Sequence, residues 1–210
     1  MARSKSSSAW LKRHVNDPYV HKAGELGYRA RSAFKLTELL ERERLGLRGQ
    51  TVVDLGAAPG SWSQVLAERV GGSGRVIAVD LLEVAAIPGV TVIRGDFGED
   101  AVLARVGEAL EGKKVDLVVS DMAPNISGVR SADQARSIHL CELALDFAVV
   151  HLNSGGALIV KAFQGSGYPE FLAAMRRVFA SVASRKPGAS RDESKEMYLV
   201  GKRPRAGAGT

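Results

Sequence analysis

The stretch Thr51-Val52-Val53-Asp54-Leu55-Gly56-Ala57-Ala58-Pro59-Gly60-Ser61-Trp62 decides the fold. Its first five residues read as a short apolar strand, and the helical pattern over 61–70 begins directly after the turn. The small residues between them let the backbone approach a ligand closely. The helix that follows supplies unpaired N–H groups and the positive end of a dipole. The loop is not G-x-G-x-x-G, so it matches the pyrophosphate loop of a dinucleotide-dependent dehydrogenase poorly. It suits a nucleoside carrying an amino-acid tail better.

Outward from this turn, strand-like and helix-like runs alternate. Strands are predicted at Thr51–Leu55, Arg75–Val79, Val90–Arg94, Val115–Ser120, Ala157–Lys161 and Met197–Gly201, with a seventh near Ser181–Lys186. Helical patterns cover 30–44, 61–70, 99–110, 131–151 and 168–180. Such alternation implies an α/β, Rossmann-like fold: a mostly parallel seven-stranded sheet with helices on both faces and right-handed crossovers. Ligands in such sheets bind beyond the carboxyl ends of the strands, which is where chemistry is to be sought.

Three acids and a lysine sit at those ends. Asp80 closes the second strand, where a carboxylate accepts the two ribose hydroxyls of an adenosine. Asp96 follows the third strand in Gly95-Asp96-Phe97, placed to address the adenine. Both NAD and S-adenosylmethionine fit this much. The fourth strand ends in Asp121-Met122-Ala123-Pro124-Asn125 and the fifth in Lys161-Ala162-Phe163-Gln164-Gly165. A lysine ending an apolar strand needs a partner or a substrate, and Asp121 is the obvious partner. Lys35 in the early helix and Glu196 at the start of the last strand are candidates to join them. Glu193 competes with Glu196 for the same role.

The chain of 210 residues carries a net charge of +6, unevenly distributed. Residues 1–48 hold 11 Lys or Arg against 5 acids, residues 184–210 hold 7 against 3, and the middle holds 11 against 15. Basic ends around an acidic centre suit a polyanion docking on the termini. We expect one domain over 10–202, including a basic helical extension over 10–48, with tails at 1–9 and 203–210. No apolar run approaches the ~20 residues of a membrane span, and MARSKSSSAWLKRH lacks a secretory signal's apolar stretch. The single Cys141 suits a reducing cytoplasm. His14, His21, His139 and His151 form no metal-ligand spacing, so no metal is expected, nor a membrane. A monomer is expected too, because no coiled-coil pattern is evident.

The motifs DLGAAPGSWSQ, SDMAPNISG and VKAFQGSGYPEFL, with YRARSAFKL upstream, closely resemble the bacterial FtsJ (RrmJ) family of ribosomal RNA 2′-O-methyltransferases. The likeness runs from about Trp10 to Gly201. It implies a class I methyltransferase fold and S-adenosylmethionine as methyl donor. It also implies a catalytic tetrad on Lys35, Asp121, Lys161 and Glu196, and cofactor binding by Gly60, Trp62, Asp80, Asp96 and Asp121. The implied substrate is a uridine ribose in large-subunit ribosomal RNA, within the large ribosomal subunit. Ser61 departs from the family where a second glycine is common. Asp192 and Glu193 stand where more basic character is expected. The turn DMAPN is not the Asn/Asp-Pro-Pro-aromatic turn that serves base amines, and Cys141 lies mid-helix rather than as a nucleophile for pyrimidine C5. For phosphate contacts the expected residues are Lys12, Arg13, Arg29, Arg31, Arg185 and Lys186.

Overall fold

A computed structural model describes residues 17–191 and 193–207. The helices are α1 (Pro18–Glu25), α2 (Ala33–Arg42), α3 (Ser61–Val70), α4 (Asp100–Leu110), α5 (Arg130–His151) and α6 (Tyr168–Val178). The strands are β1 (Thr51–Leu55), β2 (Arg75–Asp80), β3 (Val90–Arg94), β4 (Val115–Ser120), β5 (Leu152–Phe163), β6 (Phe179–Arg185) and β7 (Glu196–Pro204). They form one seven-stranded sheet in the order β3-β2-β1-β4-β5-β7-β6. β7 runs antiparallel to both β5 and β6, and the other pairs are parallel. The strand order reverses between β1 and β4, so the ends of these two strands frame the expected crevice.

Period-two alternation sorts the strand residues onto two faces. Val53, Leu55, Val118, Leu158, Val160 and Leu199 pack with α4, α5 and α6. Val52, Leu117, Val119, Ile159, Tyr198 and Val200 pack on the opposite side against α2 and α3. Continuing each strand's alternation puts Asp54, Lys161, Tyr198 and Glu196 on that second face. Helix α2 buries Ala33, Leu36, Leu39 and Leu40 there, so Lys35, four positions before Leu39, is delivered to the edge of this face. The carboxylate of Glu43, just past α2, takes Arg185 Nε and Lys202 Nζ at 2.6 Å each, pinning the helix to β6 and β7.

Several boundaries differ from the sequence expectation. β5 begins at Leu152 because α5 passes into it without a loop. The last helix stops at Val178, and Phe179 opens β6 by pairing with Pro204. β7 therefore runs two residues past the expected domain end at 202. The expected tail at 1–9, and Lys12 and Arg13, lie outside the described residues.

β7 carries Gly201 where a Cβ would fall 2.3 Å from Phe179 Cδ2, inside the core. Gly201→Ala is expected to destabilise the protein by roughly 1–3 kcal/mol through overpacking. Thermal unfolding should register this as a fall of several degrees in Tm. An unchanged Tm would mean that the ring relaxes freely.

Candidate functional site

A cavity of about 740 Å³ opens beyond the ends of β1, β2 and β4, lined among others by Gly56, Ala58, Asp80, Asp96 and Asp121. Gly56 has φ of 76°, and a Cβ there would lie 2.7 Å from Met122 Cγ and 2.8 Å from Met122 N. Only glycine lets the β1 loop press so closely on the loop after β4. Asp80 ties the floor together: Oδ2 accepts from Ala58 N at 2.8 Å and Oδ1 from Leu82 N at 2.7 Å. Asp96 Oδ1 accepts from Gly98 N at 2.9 Å.

Two expected cofactor residues are not among those lining this cavity. The Trp62 ring is buried away from the cavity, with Nε1 donating to Ser32 O at 2.8 Å and its centroid 5.7 Å from that of Tyr198. What Trp62 offers a ligand is the main-chain N–H of a helix's first turn. Gly60 does not line the cavity either. Its φ is 107°, and a Cβ would meet Arg29 Nη1 at 2.6 Å and Ile87 Cδ1 at 2.9 Å. Backbone conformation and crowding both require glycine here.

Beneath the loop, Asp54 is wholly buried. Ser63 Oγ donates to its Oδ2 at 2.6 Å, while Oδ1 has no partner. Burial pushes its carboxyl up to about 7, against the pull of the Ser63 bond and helped by the charges of Asp121 and Asp80. The folded protein thus binds this proton more tightly than the unfolded chain, whose aspartates titrate near 3.9. Its contribution is most favourable below about pH 4, declines as pH rises to about 7, and is flat above. The whole effect amounts to at most about 4 kcal/mol. Asp54→Asn is expected to flatten stability across that window, measured by urea unfolding at several pH values. An unaltered slope would rule Asp54 out as its source.

The four charged residues named from the sequence form two ion pairs around Tyr198. Lys161, 9% exposed, places Nζ 3.0 Å from Asp121 Oδ1 and donates to Asp121 O at 2.5 Å. Lys35 Nζ meets Glu196 Oε1 at 2.5 Å. Lys161 and Tyr198 are register partners on β5 and β7, and Tyr198 Oη donates to Asp121 Oδ1 at 2.8 Å. Lys35 Nζ stands 5.9 Å from the Tyr198 ring centroid. Burial, reinforced by the charges of Asp121 and Glu196, holds the Tyr198 phenol well above its ordinary value, so it stays a donor. Burial also pushes Glu196 up, but the Lys35 bond and charge more than offset it and hold the carboxyl below the ordinary range. Glu196 is therefore ionised at neutral pH. Between the two candidate acids, Glu196 takes Lys35, whereas Glu193 is exposed at the rim of a second cavity.

This second cavity, about 510 Å³, adjoins the Lys35–Glu196 pair and is lined by Arg31, Ser32, Arg191 and Ser194. The expected phosphate binders are largely engaged within the protein. Arg31 bonds to Asp17 and to Ala189 O, and Arg185 is held by Glu43. Lys186 Nζ donates to Ser194 O at 2.9 Å. Arg29, although exposed, donates from its guanidinium to three main-chain carbonyls. Among the described residues no helix is long and apolar enough to cross a membrane, and no group of three or more His, Cys, Asp or Glu side chains is arranged to hold a metal ion.

Residues 28–204 match the FtsJ-like methyltransferase family. The chain belongs to that family. A relative from Azoarcus sp. (strain BH72), named ribosomal RNA large subunit methyltransferase E, is 59% identical over 96% of this chain and 98% of its own length. One of the same name from Neisseria meningitidis serogroup C is 57% identical over 97% and 98%. A crystal structure described as a ribosomal RNA methyltransferase of Plasmodium falciparum superposes with a TM-score of 0.75 at 32% identity, covering 84% of this chain and 98% of its own. Tyr198 and Arg191 are the parts of this FtsJ-like site that sequence reading missed. For Tyr198, strand alternation from Glu196 was the available signal. Arg191 lies in an irregular loop with no comparable cue.

Proposed function

We propose that the protein transfers a methyl group from S-adenosylmethionine to the ribose 2′-hydroxyl of a uridine in large-subunit ribosomal RNA. The observation that carries this reading is the placement of the Lys161–Asp121 and Lys35–Glu196 pairs. One borders the larger cavity, which offers acids for a nucleoside, and the other borders the smaller, cation-lined cavity. Full-length relatives named for large-subunit ribosomal RNA methylation support the substrate class.

Asp80 would hold the adenosine ribose, Asp96 the adenine side, and the first turn of α3, including the Trp62 N–H, the carboxylate end. S-adenosylmethionine supplies an electrophilic methyl whose leaving group is a neutral thioether. Lys161 Nζ has two acceptors, Asp121 Oδ1 and Asp121 O, which fix it in place and leave its remaining position for the substrate hydroxyl. In this reading Lys161 acts as the general base. As the ribose oxygen forms its bond to carbon and the S–CH₃ bond breaks, the hydroxyl proton passes to Lys161 Nζ. Asp121, steadied by Tyr198, fixes the amine, and Glu196 fixes Lys35 beside it. The RNA strand would enter over the smaller cavity, with Arg191 meeting phosphate. The 2′-hydroxyl itself separates RNA from DNA.

The test is transfer of labelled methyl to ribosomal particles, free ribosomal RNA and transfer RNA, followed by mapping of the modified nucleotide. Label on a uridine ribose of large-subunit RNA is expected. Label on transfer RNA alone would reassign the substrate, and no label on any RNA would end the proposal.

A further inference from the structure

The geometry points to Arg29 as a positioning residue for the methyl donor, rather than a contact to RNA. This rests on the reading of the larger cavity as the S-adenosylmethionine site. Arg29 Nη1 donates to Pro59 O at 3.0 Å and Ala85 O at 2.8 Å, and Nη2 donates to Ala86 O at 3.0 Å. Pro59 lies in the loop after β1, and Ala85 and Ala86 lie in the loop after β2. These two loops carry Gly56, Ala58, Asp80 and Leu82, which line the cavity. Asp80 joins the loops at their cavity end, through Ala58 N and Leu82 N. Arg29 joins them again from the outside.

The guanidinium is itself built into place. Gln64 on α3 accepts from Arg29 N at 2.9 Å and donates to Gly27 O at 3.0 Å, fixing the main chain that bears it. Gly60 leaves the space the guanidinium fills, since a Cβ there would stand 2.6 Å from Nη1. Arg29 is exposed to solvent, but three of its five N–H donors are already committed. Here both hydrogens of Nη1 and one of Nη2 are directed at carbonyls, a use that needs the planar fork and not merely a positive charge. Removing it leaves the loops joined through Asp80 and the packing of Ala57 against Val84 and Ile87, and the arrangement competent for the donor becomes a fraction of the population.

The experiment compares wild type, Arg29→Ala and Arg29→Lys by calorimetric titration with S-adenosylmethionine and S-adenosylhomocysteine. Binding of a large-subunit ribosomal RNA transcript and steady-state methylation are measured in parallel. Both variants should weaken binding of the two nucleosides about tenfold, as expected if only a tenth of the molecules keep the loops in register. KM for S-adenosylmethionine should rise similarly, with kcat at saturation and RNA affinity changed less than twofold. Lysine fails to rescue because a single ammonium does not span three carbonyls. The inference is overturned if Arg29→Ala weakens RNA binding, Arg29→Lys restores it and nucleoside affinity stays at the wild-type value. It is equally overturned if both affinities fall together with the melting temperature, which marks general damage. If wild type binds no S-adenosylmethionine, the cavity reading itself falls, a result distinct from either.

Discussion

Lys161→Met should retain wild-type affinity for S-adenosylmethionine within a fewfold and lose methyl transfer by roughly 10²–10⁴-fold, the range a positioned acid–base group supplies. Methionine keeps most of the buried stem's packing on β5 while removing the nitrogen. The loss should fall on single-turnover methylation, because Lys161 does not line the larger cavity and Asp80 and Gly56 remain in place. Lys161→Arg decides the role. A guanidinium keeps the charge and donates hydrogen bonds, yet stays protonated under any accessible condition. If Lys161 removes the hydroxyl proton, the arginine variant should be as inactive as the methionine one. Turnover within tenfold of wild type would overturn the base assignment and leave Lys161 as an orienting charge.

Asp121 limits how that result is read. Either substitution leaves a half-buried carboxylate that has lost its cation, although the Tyr198 bond remains. Unpaired buried charge is destabilising. Thermal unfolding of both variants therefore accompanies the kinetics, and a folded, donor-binding, inactive protein is the expected result.

How far the sequence revealed this architecture depended on the kind of signal. The alternation of short apolar strands with amphipathic helices marked the sheet and its ligand edge, because period two and period 3.6 are direct consequences of backbone geometry. The same logic singled out Asp80, Asp121 and Lys161 at the ends of apolar runs, and Asp96 just beyond β3. Where no periodicity changes, the boundary was hidden: α5 passes straight into β5 at Leu152. Pairing of Lys35 with Glu196, 161 positions apart, follows from packing of α2 on the sheet face, so motif resemblance alone brought them together beforehand. Side-chain direction was the least legible property. Trp62 and Arg29 carry the residue types of a ligand contact, yet one ring turns into the core and one guanidinium turns onto carbonyls. Composition reports that a group exists; only the fold determines which way it faces.

Asp80 joins the loop geometry to the chemistry, and Asp80→Ala should raise the dissociation constant for S-adenosylmethionine by about 10²-fold or more. Hydrogen bonds to a charged group contribute roughly 1.5–3 kcal/mol each, and two ribose hydroxyls facing one carboxylate double that stake. Both Asp80 oxygens already accept one main-chain N–H, from Ala58 and Leu82, and each keeps further lone-pair capacity for a hydroxyl. The substitution thus removes the nucleoside's acceptors and one tie between the loops together. Asp80→Asn separates the two effects. It preserves one carbonyl acceptor but turns the other position into a donor, toward either a main-chain N–H or a hydroxyl. It should therefore weaken the donor clearly, though less than alanine does. Calorimetric titration measures both, with adenosine alone as a second probe lacking the amino-acid tail. Adenosine should lose affinity in the same proportion, because the lost contacts are to its ribose. A dissociation constant within threefold of wild type in both variants would place the nucleoside elsewhere in the cavity. Loss for S-adenosylmethionine without loss for adenosine would move Asp80's contact from the ribose to the sulfonium or the amino-acid tail.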